Sequence, residues 1–485
     1  MRLSVLLAAI GAVALVAMAA CGKRSLMKPA SLFTPRCEIL PAPAHSADSI
    51  TVAMPDVVEL GRVPWAGNAS ERLLFRHLYE TLITVDCLDQ VCAGLAVSWK
   101  RGEGGRRWTF ELREGALFWD GTSVTAGDVV TSWQDAMTLH TVIDSVGVAG
   151  GRRVHVYLKQ PHDEVPRALS ASVFAVTKAA DDSGWLVGSG PYRIVSPNSY
   201  RMGKRTITVR SALGGRRVII RFMETSLVDA RDLLERGIDV MVTSDPSVIE
   251  YSSGRPQFVT VELPWDRTYV LLSTSRMRAL AGGGTVGTIS SHVLDGVAQN
   301  AVRGDARGHV PPSWWEEVSR CLDLSAPAGR SAVPMADHAS SDRIVYDVKD
   351  PIARDLAERV VALGATDPVS AEAAAITLAI PGLARDSAAV IAEGVTTAEL
   401  ARSLRDGNAF AYIVVVPTRP PDPCYEAHEL IKRAPWLASH GVDFAHTLVP
   451  LVDARSHVIA KRGRFGLMSD GYGSAIVVDG LFAGR

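Results

Sequence analysis

Apolar residues along this chain recur with two different periods. Trp108, Phe110 and Leu112 alternate with Thr109, Glu111 and Arg113, the two-residue repeat of a strand with one buried face. Leu74, Leu78 and Leu82 recur every four residues behind Ser70 and Glu71, so a helix is expected to open there. Ile50 to Met54 is a short apolar run that suits a buried strand. A turn is expected at Asp120-Gly121. Beyond it, Thr125 and Asp128 have the spacing of a capping box, opening a helix whose Val129, Trp133 and Met137 share a face. Ile352, Leu356, Val360 and Leu363 mark another amphipathic helix.

Two later segments share a pattern, Leu233 to Val240 and Leu404 to Ala411. In each, a helical stretch meets a glycine, Gly237 or Gly407, and passes into an apolar run. Glycine accepts the left-handed conformation that stops a helix, and the run after it suits a sheet covered on both faces. Thr396 with Glu399 caps the second of these helices. Helices and strands alternating over two regions give an α/β protein with at least two lobes. Leu324 to Asp342, rich in Ala, Pro and Ser, reads as a surface loop.

The N-terminus has a different pattern. Met1-Arg2 supplies positive charge, Leu3 to Ala20 is almost wholly apolar, and Met18-Ala19-Ala20-Cys21 closes the segment. Residues 1–20 read as a secretion signal. Small residues before a single cysteine resemble a bacterial lipobox, in which cleavage leaves Cys21 as a lipid-bearing N-terminus; an uncleaved anchor is the alternative. Residues 21–48 carry Pro29, Pro35, Pro41 and Pro43 without periodicity and read as a tether. The bulk of the chain is therefore expected outside the cytoplasm, held at a membrane by its N-terminus.

At 485 residues the chain is long enough for two or three lobes of about 150 residues each. Its 51 Lys and Arg against 52 Asp and Glu leave no basic excess, so no nucleic-acid partner is expected. The extracytoplasmic setting permits disulfides. Cys87 and Cys92 are close enough to cross-link a turn, and Cys321 with Cys424 is a second possible pair, although spacing alone fixes neither. Zinc is a poor reading of that cysteine spacing, and His428, His440 and His446 are too irregularly spaced for a metal site on one helix face. The sequence shows no zinc-protease helix, nucleophile elbow, phosphate loop or dinucleotide fingerprint. No catalytic residue, metal or cofactor is assigned.

Several ordered motifs carry a resemblance. Tyr79-Glu80-Thr81-Leu82, Trp99, Phe110 to Arg113, Phe118 to Gly121 and Thr125 to Val129 follow one another between His77 and Met137. Gly188 to Tyr192, Gly237 to Asp239, Pro421-Asp422-Pro423 and Val449-Pro450-Leu451 continue the series. Together they resemble the extracytoplasmic solute-binding proteins of peptide and nickel ABC importers, solute-binding family 5, over nearly all of residues 49–485.

The resemblance implies a two-lobed periplasmic-binding-protein-like fold of type II, with an extra subdomain inserted in lobe I. Lobe I would comprise 49–70, 185–270 and 447–485, the insert 71–184, and lobe II 271–446. It also implies a substrate-binding lipoprotein, not an enzyme, that captures an oligopeptide or similar small polar solute and delivers it to ABC permease subunits. Alternatives are a non-peptide solute (a metal chelate, sugar or anionic compound) and a sensor without an import role. A monomer is expected. Arg62, Trp65 and Asn68 follow the first strand toward the cleft, and Trp265 and Arg267 lie where the chain would leave lobe I. Arg419 stands where peptide-binding members place the aspartate that pairs with a peptide amine. A guanidinium suits a carboxylate or phosphate instead.

Overall fold

The computed structural model describes residues 37–479 apart from 42–46, 135–142, 180–183, 196–205, 213–218, 226–227, 275–295, 298–305, 317, 319–342, 366–389, 439–446 and 470–475. Among these residues the largest sheet runs Tyr192–Ile194, Thr206–Ser211, Ile219–Glu224, Ser49–Met54, Val240–Thr243, Leu448–Lys461, Phe258–Ser273, Ala411–Pro417, Arg343–Asp347, Ile391–Val395. Ala306–Gly308 adds to it alongside Leu448–Lys461.

The sheet has two parallel centres. Ser49–Met54 is parallel to both of its neighbours, and so is Arg343–Asp347. Antiparallel strands join the two centres, and two of these, Phe258–Ser273 and Leu448–Lys461, are 16 and 14 residues long. Phe258 to Glu262 pairs with His457 to Lys461 on the side of Val240–Thr243, whereas Arg267 to Ser273 pairs with Ala411 to Pro417. Between those stretches the register slips on both sides of Trp265. Such bulges bend a strand and increase its twist, so the sheet turns where it passes from one half to the other.

Each half buries its own core. Ile50, Val52, Met54, Ile220 and Phe222 cluster in the first. Val270, Leu272, Tyr412 and Val414 cluster on one face of the second half, and Tyr269, Leu271, Leu356 and Ile413 on the other. Alternate residues of one strand feeding opposite faces is the period of a strand covered on both sides. This is the two-lobed α/β arrangement.

A separate four-stranded sheet, ordered Ala96–Arg101, Arg107–Leu112, Arg153–Leu158, Ile143–Val148, carries a third core. Trp108, Phe110 and Leu112 enter it from one strand, as their alternation predicts. Thr125 and Asp128 form the expected capping box at the start of helix Ala126–Ser132, and buried Trp133 directly beyond it donates to Phe174 O at 2.9 Å. Met137 lies outside the described residues.

Helix Ala69–Leu78 is shorter than the leucine repeat predicts. Leu74 and Leu78 pack in the core of the first half, whereas Leu82 belongs to the core of the four-stranded sheet. Gly188 and Gly190 lie against the end of this helix so closely that a side chain on either would collide with the Leu78 backbone. The glycine stops are as expected: helix Ala230–Arg236 ends at Gly237 and helix Thr397–Asp406 at Gly407, both with positive φ. Thr396 and Glu399 form the second capping box. Ile352, Leu356, Val360 and Leu363 line one side of helix Pro351–Ala365 in the second half.

The cysteine pairing needs correcting. Cys87 bonds to Cys37 and not to Cys92. Cys92 sits in strand Val91–Ala93 facing Thr84 across the hairpin, while Cys87 lies in the turn beyond Val85, so the two side chains are not in register. Cys424 is also disulfide-bonded. Cys21, Cys321, the N-terminal apolar segment and the loop at 324–342 lie outside the described residues. Among those residues no helix is long and apolar enough to cross a membrane.

Candidate functional site

The segment after strand Ser49–Met54 is held by the first turn of helix Ala69–Leu78. Glu71, fully buried, accepts from Glu59 N at 2.8 Å and Gly67 N at 2.6 Å. Asp56 and Ser70 hydrogen-bond one another through backbone and side chain. Asn68 is the helix cap: its Oδ1 accepts from Glu71 N at 2.8 Å and its Nδ2 donates to Val57 O at 3.1 Å. The side chain expected to face solute thus shapes the loop instead.

Within that loop Arg62 folds over Gly67 and reaches Glu59 at 4.0 Å. Trp65 packs on the core of the four-stranded sheet, and so does Tyr425, from helix Pro423–Arg433 of the other half. Asp422 caps that helix, accepting from Cys424 N and Tyr425 N at 3.0 and 3.2 Å, which fixes where Tyr425 projects. Burial pushes the Tyr425 hydroxyl well up, and the charges of Glu429 and Glu426 act in the same direction, while Arg62 pulls it back down. It therefore stays a neutral hydrogen-bonding group. Burial also raises Glu426, offset by the charges of Arg433 and of Arg72 from helix Ala69–Leu78.

Arg419, just before this helix, is 73% exposed and lies 3.9 Å from Asp89. Asp89 sits in the turn after strand Ile83–Val85 and is held more tightly by Arg167 at 2.6 Å. Arg419 therefore meets Asp89 and Arg167 across the boundary between the second half and the four-stranded sheet, while the charge of Arg62 is felt at Tyr425 and Trp65 packs on the same core as Tyr425.

Trp265 and Arg267 have other partners. Two guanidiniums lie over the Trp265 indole, Arg307 at 4.5 Å and Arg455 at 4.6 Å from the ring centre. These guanidiniums pair with Asp453 and Glu262. With both neighbours in place, the indole is engaged in cation–π contacts within the protein. Arg267 makes a forked pair with Asp266 at 3.1 and 3.0 Å and also donates to Ser456. Both residues thus serve the bend between the halves.

Asp453, beside that bend, accepts from Thr268 Oγ1 at 2.8 Å and Val310 N at 3.2 Å and contacts His309 Nδ1 at 2.7 Å. Burial disfavours its charge, but these hydrogen bonds hold its carboxyl below the ordinary value. His309 Nε2 lies 3.0 Å from Ser313 Oγ, which completes a serine–histidine–aspartate chain. Ser313 is only 4% exposed, so its Oγ has no surface from which to meet a substrate, and the chain reads as a structural network. Among the described residues no group of three His, Cys, Asp or Glu is arranged to hold a metal ion.

The sequence reading missed Asp89, Arg167, Tyr425 and Glu71. Tyr425 directly follows the Asp422-Pro423 motif and was the most accessible of them. Asp89 depends on a turn conformation that composition does not reveal.

Residues 90–275 match the family described as bacterial extracellular solute-binding proteins, family 5 Middle. The periplasmic murein peptide-binding protein MppA of Escherichia coli (strain K12) is 43% identical over 61 residues, 13% of this chain and 11% of that protein. The probable deoxycholate-binding periplasmic protein YgiS of the same organism is 35% identical over 109 residues, 22% of this chain and 19% of that protein. The matched stretches thus span less than a fifth of either relative. Among solved structures, NikA from Staphylococcus aureus in complex with Ni(L-His)2 superposes with a TM-score of 0.61 at 13% identity, covering 89% of this chain and 98% of that one.

Proposed function

From the match of residues 90–275 to the extracellular solute-binding proteins of family 5, we propose that the chain is a member of that family and captures an oligopeptide or similar small polar solute between its two lobes. On this reading it passes the solute to the permease subunits of an ABC importer and performs no bond chemistry. Lobe I is 49–70, 185–270 and 447–485, the inserted subdomain 71–184 and lobe II 271–446. Residues 1–20 direct export, Cys21 carries the lipid anchor, and the protein works as a monomer outside the cytoplasm.

The observation that carries the reading is that Trp65 from the first half and Tyr425 from the second pack on the same core, with the charge of Arg62 felt at Tyr425 and Arg419 reaching Asp89, in a sheet that bends at Trp265. A solute lodged there touches both lobes only when they are together, so its binding energy favours the closed arrangement, which a permease can sense.

A non-peptide solute is the second reading. It is favoured by Arg419, which stands where the resemblance to peptide-binding members calls for an aspartate. A sensor with the same capture step differs only in the partner it signals to.

The test is to denature the purified chain and identify by mass spectrometry any solute it releases. Capture predicts a stoichiometric small molecule that raises the melting temperature when added back and is recovered unchanged. Conversion of that molecule at catalytic protein concentration would overturn the reading.

A further inference from the structure

Resting on the capture reading, we propose that Asp89 is a specificity-determining residue that occupies Arg419 until the solute's own anionic group replaces it. The site then selects an acid with an apolar body over a solute that presents a free amine.

The two contacts of the Asp89 carboxylate are unequal. Oδ1 lies 2.6 Å from Arg167 Nη1, whose side chain is largely buried in the same subdomain. Oδ2 lies 3.9 Å from Arg419 Nη1 across the gap, at a side chain mostly exposed to water. Long, exposed ion pairs are weak, whereas a carboxylate meeting a guanidinium face to face makes two short charge-assisted bonds. A solute acid therefore outcompetes Asp89 for Arg419, and Arg167 keeps Asp89 in place when it does.

The turn is built to hold that position. Among the described residues Asp89 is the sole non-glycine with a left-handed backbone, φ 66°. Asp86 Oδ1 accepts from Leu88 N and Gln90 N at 2.9 Å, and the Cys37–Cys87 disulfide ties the turn's first residue down. Backbone strain retained at an exposed turn points to a role for the side chain it places. Leu88, beside it, is 48% exposed and supplies apolar surface next to the charges. A solute amine reaching Arg419 would meet a second guanidinium, Arg167, and in Asp89 a carboxylate already taken by Arg167. A solute acid meets an exposed guanidinium.

The test uses the full chain in lipid nanodiscs and two matched probes, an N-acetylated Ala-Ala-Phe acid and an Ala-Ala-Phe amide with a free amine, titrated by calorimetry. The acid is expected to bind at least about tenfold tighter than the amine. Arg419→Ala should lose about that tenfold, while Asp89→Asn, which keeps a residue tolerant of the left-handed turn, should tighten the acid about threefold. Preference for the amine, acid binding unchanged in Arg419→Ala, acid binding weakened in Asp89→Asn, or no acid binding at millimolar concentration would each overturn the proposal. If the wild-type chain still releases a stoichiometric solute on denaturation, such a result removes the role of Asp89 and leaves capture standing.

Discussion

Arg62 lays its guanidinium over the α-carbon of Gly67, in the space that any larger residue's β-carbon would occupy. The glycine thereby keeps Arg62 folded back toward Tyr425, whose hydroxyl feels its charge. Gly67→Ala displaces only the tip of a flexible, half-exposed side chain, so thermal stability should change by no more than about 0.5 kcal/mol. Affinity for the captured solute should fall about threefold to tenfold, because Arg62 must leave its place. Melting curves and calorimetry on one preparation separate the two effects.

Glu71 staples the loop that carries Arg62 and Trp65. Glu71→Ala leaves the amides of Glu59 and Gly67 without their acceptor, at a cost of about 2 kcal/mol in urea unfolding. Solute binding should weaken as well. Asn68→Ala, which removes only the helix cap, should cost about 1 kcal/mol.

His77 sets an acid limit to stability. Its ring is fully buried edge-on to Tyr192 and Phe222, with Nδ1 2.7 Å from Leu73 O, and burial lowers its pKa to about 4. The unfolded chain takes up this proton near pH 6.5, so between 6.5 and 4 it binds a proton that the folded chain refuses. Stability from this residue is complete above pH 6.5 and falls by roughly 3 kcal/mol on the way down to pH 4. Comparing wild type with His77→Phe by denaturant unfolding across that range should show the slope in the wild type and its loss in the variant.

The Cys37–Cys87 crosslink spans 50 residues and should contribute about 4 kcal/mol by restricting the unfolded chain. Cys87→Ser and Cys37→Ser should therefore destabilise about equally, and Cys92→Ser should leave the crosslink in place. Peptide mapping without reduction gives the direct answer: a Cys87–Cys92 peptide would contradict the pairing.

What could be read from the sequence was mostly local. The capping boxes at Thr125 and Thr396, the glycine stops at Gly237 and Gly407 and the alternation of Trp108, Phe110 and Leu112 each depend on neighbours a few residues away, and each is present in the fold. The partners of Trp265 and Arg267 were not legible because they are distant in the chain: Arg307, Arg455 and Ser456 reach them only once the long strands pair. Asn68 looked available because a polar residue after a strand fits a cleft as well as a cap, and the choice depends on Val57 and Glu71 both lying within reach. The Cys87–Cys92 pairing failed for a related reason. Nearness along the chain says little about side-chain register in a hairpin, and Cys37 arrives from outside it.

Hydrogen exchange on the chain with and without its released solute tests most directly whether a guest is held between the lobes. Capture predicts slowed exchange together in three separate segments, 59–68, 86–90 and 418–425, which belong to both halves. Slowing confined to one of them, or found only elsewhere, would contradict the account.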